Sequence, residues 1–233
     1  MKNNNNIMTF NNLDEYNDFI KSKLLLKKLG DNSENVCYLS SQDNLVYKIL
    51  LYSLYEARSN SYKLPEIITT KDIKLESFAF PQELHAILQK LVSYSAEYIP
   101  LDLFNYHDLV TKPESIYKID FDSLKNAYDK MLKDIEKLSQ ENIKIVNLPC
   151  NLIFTGKRLV GIDTCFYRRE NIKSLEQNIV SLNESIKEVF DTWLLFNLKK
   201  EERVEYLSTE SQDLLEYLNK VNKVANKVKK RIK

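Results

Sequence analysis

The chain has 233 residues, with 34 Lys and Arg against 33 Asp and Glu, for a formal net charge of +1. A balance so near neutral argues against a dedicated nucleic-acid binder, because counterion-release binding needs many cations on one surface. Hydrophobic residues at 43% and aromatic residues at 11% supply a packed core and exclude a disordered chain, and no apolar run reaches the roughly 18 residues of a membrane span.

The three cysteines, Cys37, Cys150 and Cys165, lie far apart without a Cys-x-x-Cys pair, which argues against a disulfide framework or a structural zinc site. The only histidines, His85 and His107, rule out a His-x-x-x-His metal helix. Met1 to Asn6 has no apolar signal core behind it, so the start reads as the frayed N-terminus of a cytoplasmic protein.

Leu13, Tyr16, Ile20 and Leu24 recur at helical steps behind Asn11 or Asn12 as N-cap. From Lys23 to Leu50, three short apolar runs separated by polar turn formers predict an antiparallel three-strand meander. Residues 52–68 carry a looser helical pattern ending near Pro65. Strands follow at Glu83–Leu88, led in by Phe78–Pro81, and at Lys90–Ile99, which stops at Pro100. Phe121, Leu124, Tyr128, Met131, Ile135 and Leu138 trace a helix behind Asp122 and Ser123 as cap candidates. Short strand-like runs at 143–146, 151–154 and 158–162 precede helices over 171–198 and 211–232. The three glycines, Gly30, Gly156 and Gly161, each sit beside a strand-like run and are expected at turns.

Two places join turn geometry to charge. A polar hairpin tip from Leu29-Gly30 can offer backbone N–H groups to an anion, and Lys48 on the strand beyond can reach the same phosphates. Asn151 opens one strand of a second hairpin and Asp163 ends the other, an oxygen pair suited to Mg²⁺. Taken singly, the first is more often an ordinary surface hairpin with a solvated lysine, and the second an Asn-Pro turn with a strand-ending aspartate.

Taken in order, they resemble the eukaryotic-type protein kinase fold and its small bacterial relatives. Leu29-Gly30-Asp31-Asn32-Ser33-Glu34-Asn35-Val36-Cys37-Tyr38-Leu39 is similar to the glycine-rich loop, Val46-Tyr47-Lys48 to the Val-Ala-Ile-Lys strand, and Ala96-Glu97-Tyr98-Ile99 to the hinge. Ile145 to Ile153 falls at the catalytic loop and Asp163-Thr164-Cys165 at Asp-Phe-Gly. The resemblance implies an α+β, two-lobed fold: a tail and helix over 1–22, a sheet-rich lobe over 23–98 and a helical lobe over 99–233. It implies ATP and Mg²⁺ as cofactors. Lys48 would hold the α- and β-phosphates, Asn151 and Asp163 would ligate the metal, and Gly30 would line the phosphate loop. The backbone of Glu97 to Ile99 would meet the adenine edge, with Ala96 as gatekeeper. Glu56, or else Glu66, would pair with Lys48.

The departures are as definite. Val146 stands where the family has its catalytic aspartate, and a loop one residue shorter would put Asn147 there, an amide that cannot serve as general base. Two loop glycines read as Asn32 and Asn35, and no proline follows Pro149 to support a peptide-docking segment. Three readings follow: a compact kinase-like phosphotransferase with an altered loop, a pseudokinase that binds nucleotide or a protein partner without turnover, and an interaction module with no nucleotide site. The basic end of the last helix, with Lys220, Lys223, Lys227, Lys229 and Lys230, reads as a solvated face that complements the helix dipole.

Overall fold

A computed structural model describes residues 7–31, 34–51, 64–100, 112–148, 151–170, 174–207 and 213–232. The chain is α+β, with a mostly antiparallel sheet and long helices, and divides into two compact units. The first comprises residues 1–75, 79–99 and 163–168; the second comprises 76–78, 100–162 and 169–233.

The first unit is built on a six-stranded sheet in the order β1 (Ile7–Phe10), β5 (Glu83–Ile87), β6 (Lys90–Glu97), β4 (Leu45–Leu50), β3 (Asn35–Ser40) and β2 (Leu25–Asp31). The predicted meander is present as β2 (Leu25–Asp31), β3 (Asn35–Ser40) and β4 (Leu45–Leu50). β5 (Glu83–Ile87) and β6 (Lys90–Glu97) form a hairpin whose two-residue tip, Leu88 and Gln89, has positive φ at both positions. That twist suits tight hairpins and is adopted here without a glycine. Phe78 to Pro81, read as a lead-in to β5, lies outside it. The start read as frayed, Met1 to Asn6, lies outside the described residues, and the strand that follows it was not expected: Ile7–Phe10 is β1, paired parallel to β5, with Phe10 buried. The sheet is therefore antiparallel except at this edge.

Helix α1 (Leu13–Ser22) is capped by Asn12, whose side chain accepts from Glu15 N at 3.0 Å, while Glu15 accepts from Asn11 N at 2.9 Å. This reciprocal pairing satisfies two otherwise orphaned donors. α1 covers one face of the sheet, where Tyr16, Phe19 and Ile20 pack with Phe10, Ile87 and Val92. The opposite face is lined by Leu50, Leu84, Ala86, Leu91, Tyr94 and Ala96, with Leu64, Ile67 and Cys165 packed on it. Strand alternation produces the division, and a bulge between His85 and Ala86 in the β5–β6 pairing lets Val92 and Ser93 both turn toward α1. Of the helix expected over 52–68, residues 52–63 lie outside the described residues, and Leu64–Glu66 is a single 3₁₀ turn.

The second unit packs α2 (Phe121–Gln140), α3 (Leu175–Asn197), the short α4 (Lys200–Leu207), which the pattern did not announce, and α5 (Leu214–Ile232). The predicted stripe of α2 is buried from Phe121 to Leu138. Its cap is Asp120, which accepts from Asp122 N and Ser123 Oγ, so the cap candidates are the donors. Short strands β7 (Ile143–Lys144), β8 (Leu152–Phe154) and β9 (Leu159–Gly161) complete the unit, with β8 and β9 forming a hairpin. The buried Asn178 ties α3 to β7, accepting from Ile145 N at 2.8 Å and donating to Ile143 O at 2.9 Å.

Of the three glycines, only Gly156 occupies a turn with positive φ, at 87°. Gly30 lies within β2, paired to Cys37, and Gly161 within β9. Gly161 is required by a close approach, since a Cβ there would lie 3.0 Å from the Phe78 ring and 3.1 Å from Leu148.

Candidate functional site

On the sheet face opposite α1, β4 places Lys48 beside Cys37 of β3 and Tyr94 of β6 through the backbone register. Asp163 arrives from 115 residues further along the sequence, and Lys48 Nζ donates to its Oδ1 at 2.5 Å. The two side chains are only 13% and 20% exposed. The pair therefore acts through less solvent screening than a surface ion pair, and its loss would strand a partly desolvated charge.

Asp163 sits in the left-handed backbone region, with φ 57° and ψ 39°, at the head of a 3₁₀ turn over Thr164–Phe166. Aspartate accepts this conformation better than most residues. Thr164 Oγ1 donates to Ala79 O at 3.0 Å, which ties the turn to the segment before β5, and Arg168 donates to Cys165 O at 2.8 Å, which closes the turn on itself.

Tyr94 is the site residue that pattern reading missed. Its hydroxyl donates to Asp163 Oδ1 at 2.8 Å, and its ring centroid lies 6.0 Å from Lys48 Nζ. Burial, reinforced by Cys165 and Asp163, pushes its phenol well above the ordinary range, so it remains a protonated donor. Cys165 Sγ donates to the same oxygen at 3.6 Å, and burial pushes that thiol up to about 12. Cys37 is also pushed up, again chiefly by burial. Neither is an activated nucleophile. The sequence signal for Tyr94 was the odd tyrosine in an otherwise small and apolar β6, legible only once register set it beside Lys48.

Three donors thus meet Asp163 Oδ1, leaving the lone pairs of Oδ2 without a donor among the described residues. An anionic oxygen held in place by its twin is a suitable hard-metal ligand. Among the described residues, no group of three or more His, Cys, Asp or Glu is arranged to hold a metal unaided.

The other predicted residues are placed as follows. Asn151 lies in the second unit, where its amide donates to Asn147 O at 2.8 Å and its carbonyl accepts from Ile162 N at 2.8 Å. Asn147, one of the two positions considered for the missing base, is exposed with φ 56°. Gly30 has open space where a side chain would project. Glu97 ends β6 and is exposed, whereas Ile99 is buried. Ala96 packs among Leu50, Leu84 and Tyr94. Glu56 lies outside the described residues, and Glu66 is exposed in its 3₁₀ turn.

The sequence matches no model of a known protein family and no curated protein. Among the described residues, no helix is long and apolar enough to cross a membrane.

Proposed function

We propose that the chain is a compact, kinase-like phosphotransferase that uses ATP and Mg²⁺ with an altered catalytic loop. The observation that carries this reading is the meeting of Lys48 and Asp163 on one sheet face across 115 residues. An ammonium has three donors, and the contact to Oδ1 uses one, so Lys48 can serve phosphate oxygens while still tethered. Asp163 keeps Oδ2 for the metal, whose bound form would supply charge neutralisation to the β- and γ-phosphates. Tyr94 and Cys165 hold the carboxylate in a fixed orientation. The roles of Asn151 as second metal ligand, of Gly30 in the phosphate loop and of Glu97 to Ile99 at the adenine edge rest on the resemblance.

A second reading, a pseudokinase that binds nucleotide without turnover, is favoured by one feature. No Asp or Glu occurs between Asn142 and Ile162, so the loop offers no carboxylate to accept an acceptor's proton. Positioning and metal charge supply most of the acceleration in phosphoryl transfer, which keeps the first reading in front.

Calorimetric titration with ATP, with and without Mg²⁺, tests the shared premise. Wild type is expected to bind, Lys48→Ala to bind more weakly, and Asp163→Asn to lose the Mg²⁺ dependence. No binding by the folded chain at several millimolar nucleotide sinks both nucleotide readings. Binding without release or transfer of the γ-phosphate selects the pseudokinase.

A further inference from the structure

We propose that the outward face of α5 is a sequence-independent contact surface for the phosphate backbone of a nucleic acid, carried by Lys220, Lys223, Lys227 and Lys230. The near-neutral total of the chain conceals a segregation of charge. Residues 217–233 hold seven Lys and Arg and no Asp or Glu, a charge of +7 within a chain of +1, which leaves −6 on the rest.

The four lysines follow one another at steps of three, four and three, so they stack on successive turns of one helix face. Leu214, Leu218, Val221, Ala225 and Val228 form the opposite, buried stripe, which turns the lysines away from the core. Lys223, Lys227 and Lys230 are exposed and have no ion-pair partner among the described residues. Lys220 is half-buried near Asp191 and Glu216.

The lysines of α2 are arranged differently. They are interleaved with Asp122, Asp129, Asp134 and Glu136, and Lys125 and Lys137 pair with Asp122 at 3.2 Å and with Asp134 at 3.0 Å. Beyond Glu216, α5 has no carboxylate, so each step sets like charges on adjacent turns, which destabilises a helix. The helix dipole compensates only within the last turn, which holds Lys229 and Lys230 but not Lys220, Lys223 or Lys227. A row of anions alongside would supply the missing counter-charge.

The spacing fits a phosphate chain. Lys220 to Lys230 spans about 15 Å of helix axis, and a B-form strand, with one phosphate per about 3.4 Å, sets about four within that length. Asn219 and Asn226 are exposed beside the row, and Asn222 accepts from the Asn226 amide at 2.9 Å. An amide both donates and accepts, which suits phosphate, sugar and base-edge groups, whereas the carboxylates of an acidic peptide only accept. A membrane surface fits less well, because the apolar stripe of α5 is buried and α5 exposes no large apolar side chain among the described residues.

The test is fluorescence anisotropy of the full chain with a labelled DNA duplex of about 20 base pairs and mixed sequence, at about 50 and 200 mM NaCl. Three to four neutralised phosphates predict saturable binding that weakens about 40- to 150-fold between the two salt concentrations. The Lys223→Gln/Lys227→Gln/Lys230→Gln variant should bind more than about 10-fold more weakly at the lower salt and change by only about 4-fold with salt. Lys125→Gln/Lys130→Gln/Lys133→Gln, the same charge change on α2, should stay within about threefold of wild type, because charges off the contact are screened. Both variants replace solvent-facing side chains and should keep the thermal midpoint. The proposal is overturned by no saturable binding up to about 100 μM protein at the lower salt, by undiminished binding of the α5 variant, or by equal losses in the two variants. Displacement of the DNA by poly-L-glutamate at equal charge overturns it in favour of an acidic protein, and binding to phosphatidylserine vesicles with none to DNA overturns it in favour of a membrane surface.

Discussion

The two faces of the six-stranded sheet differ in how fully their buried polar groups are paired. On one, Lys48, Tyr94 and Cys165 all address a single carboxylate oxygen of Asp163. On the other, His85 Nε2 and Ser95 Oγ are buried without partners. Both faces are built by the same strands, so the contrast reflects which side chains alternate onto each. A paired polar cluster contributes to stability and orientation, whereas an unpaired one costs stability.

The largest effect should come from breaking the paired face. Lys48→Met leaves Asp163 charged and largely enclosed, and is expected to cost about 2–3 kcal/mol, below the full range for deep pairs because both groups keep some exposure. Urea denaturation monitored by circular dichroism measures it, and a loss under about 0.5 kcal/mol would remove the pair from the stability of this face. Tyr94→Phe keeps the ring and deletes one hydrogen bond to a charged group, for about 1.5 kcal/mol, read in the same assay.

A smaller effect is set by pH on the other face. His85 has its folded pKa below the ordinary 6.5, so the unfolded chain binds the proton more readily. Its contribution is complete above about pH 6.5 and is lost as the pH falls below that toward the folded value. His85→Gln should flatten that part of the stability profile. The smallest change is expected for Ser95→Ala, which removes an orphaned hydroxyl and should leave stability within about 0.5 kcal/mol of wild type or slightly raise it. A marked destabilisation would mean that Ser95 Oγ has a partner in solution and would erase the contrast between the faces.

Much of the architecture was legible in local pattern. The cap at Asn11 or Asn12, the meander of β2 to β4, the stripe of α2 and the helices α3 and α5 rest on neighbours in sequence, where local pattern distinguishes helix from strand. β1 was not legible, because Met8 and Thr9 are exposed, only Phe10 is buried, and its partner strand is distant in sequence. The glycines misled for a related reason. Positive φ is carried mainly by Asn44, Asn142, Asn147 and the Leu88-Gln89 tip, whereas Gly161 answers to the Phe78 ring, a contact that no turn rule encodes. At the site, the order of Lys48 and Asp163 along the sequence was readable through the family resemblance. The involvement of Tyr94 and the orphaned pair behind it depend on cross-strand register, which a one-dimensional pattern does not contain.

The short segment Asp163–Arg168 belongs to the first unit, yet more than sixty residues of the second are threaded through before it. During synthesis, the sheet therefore emerges with Lys48 and Tyr94 in place and no counter-charge to receive them. Cys165, part of the apolar layer on that face, is missing at the same stage. The sheet can gather its local hairpins early, but that face closes only after about half of the second unit has been synthesised, so a long-range contact sets the last step of its assembly.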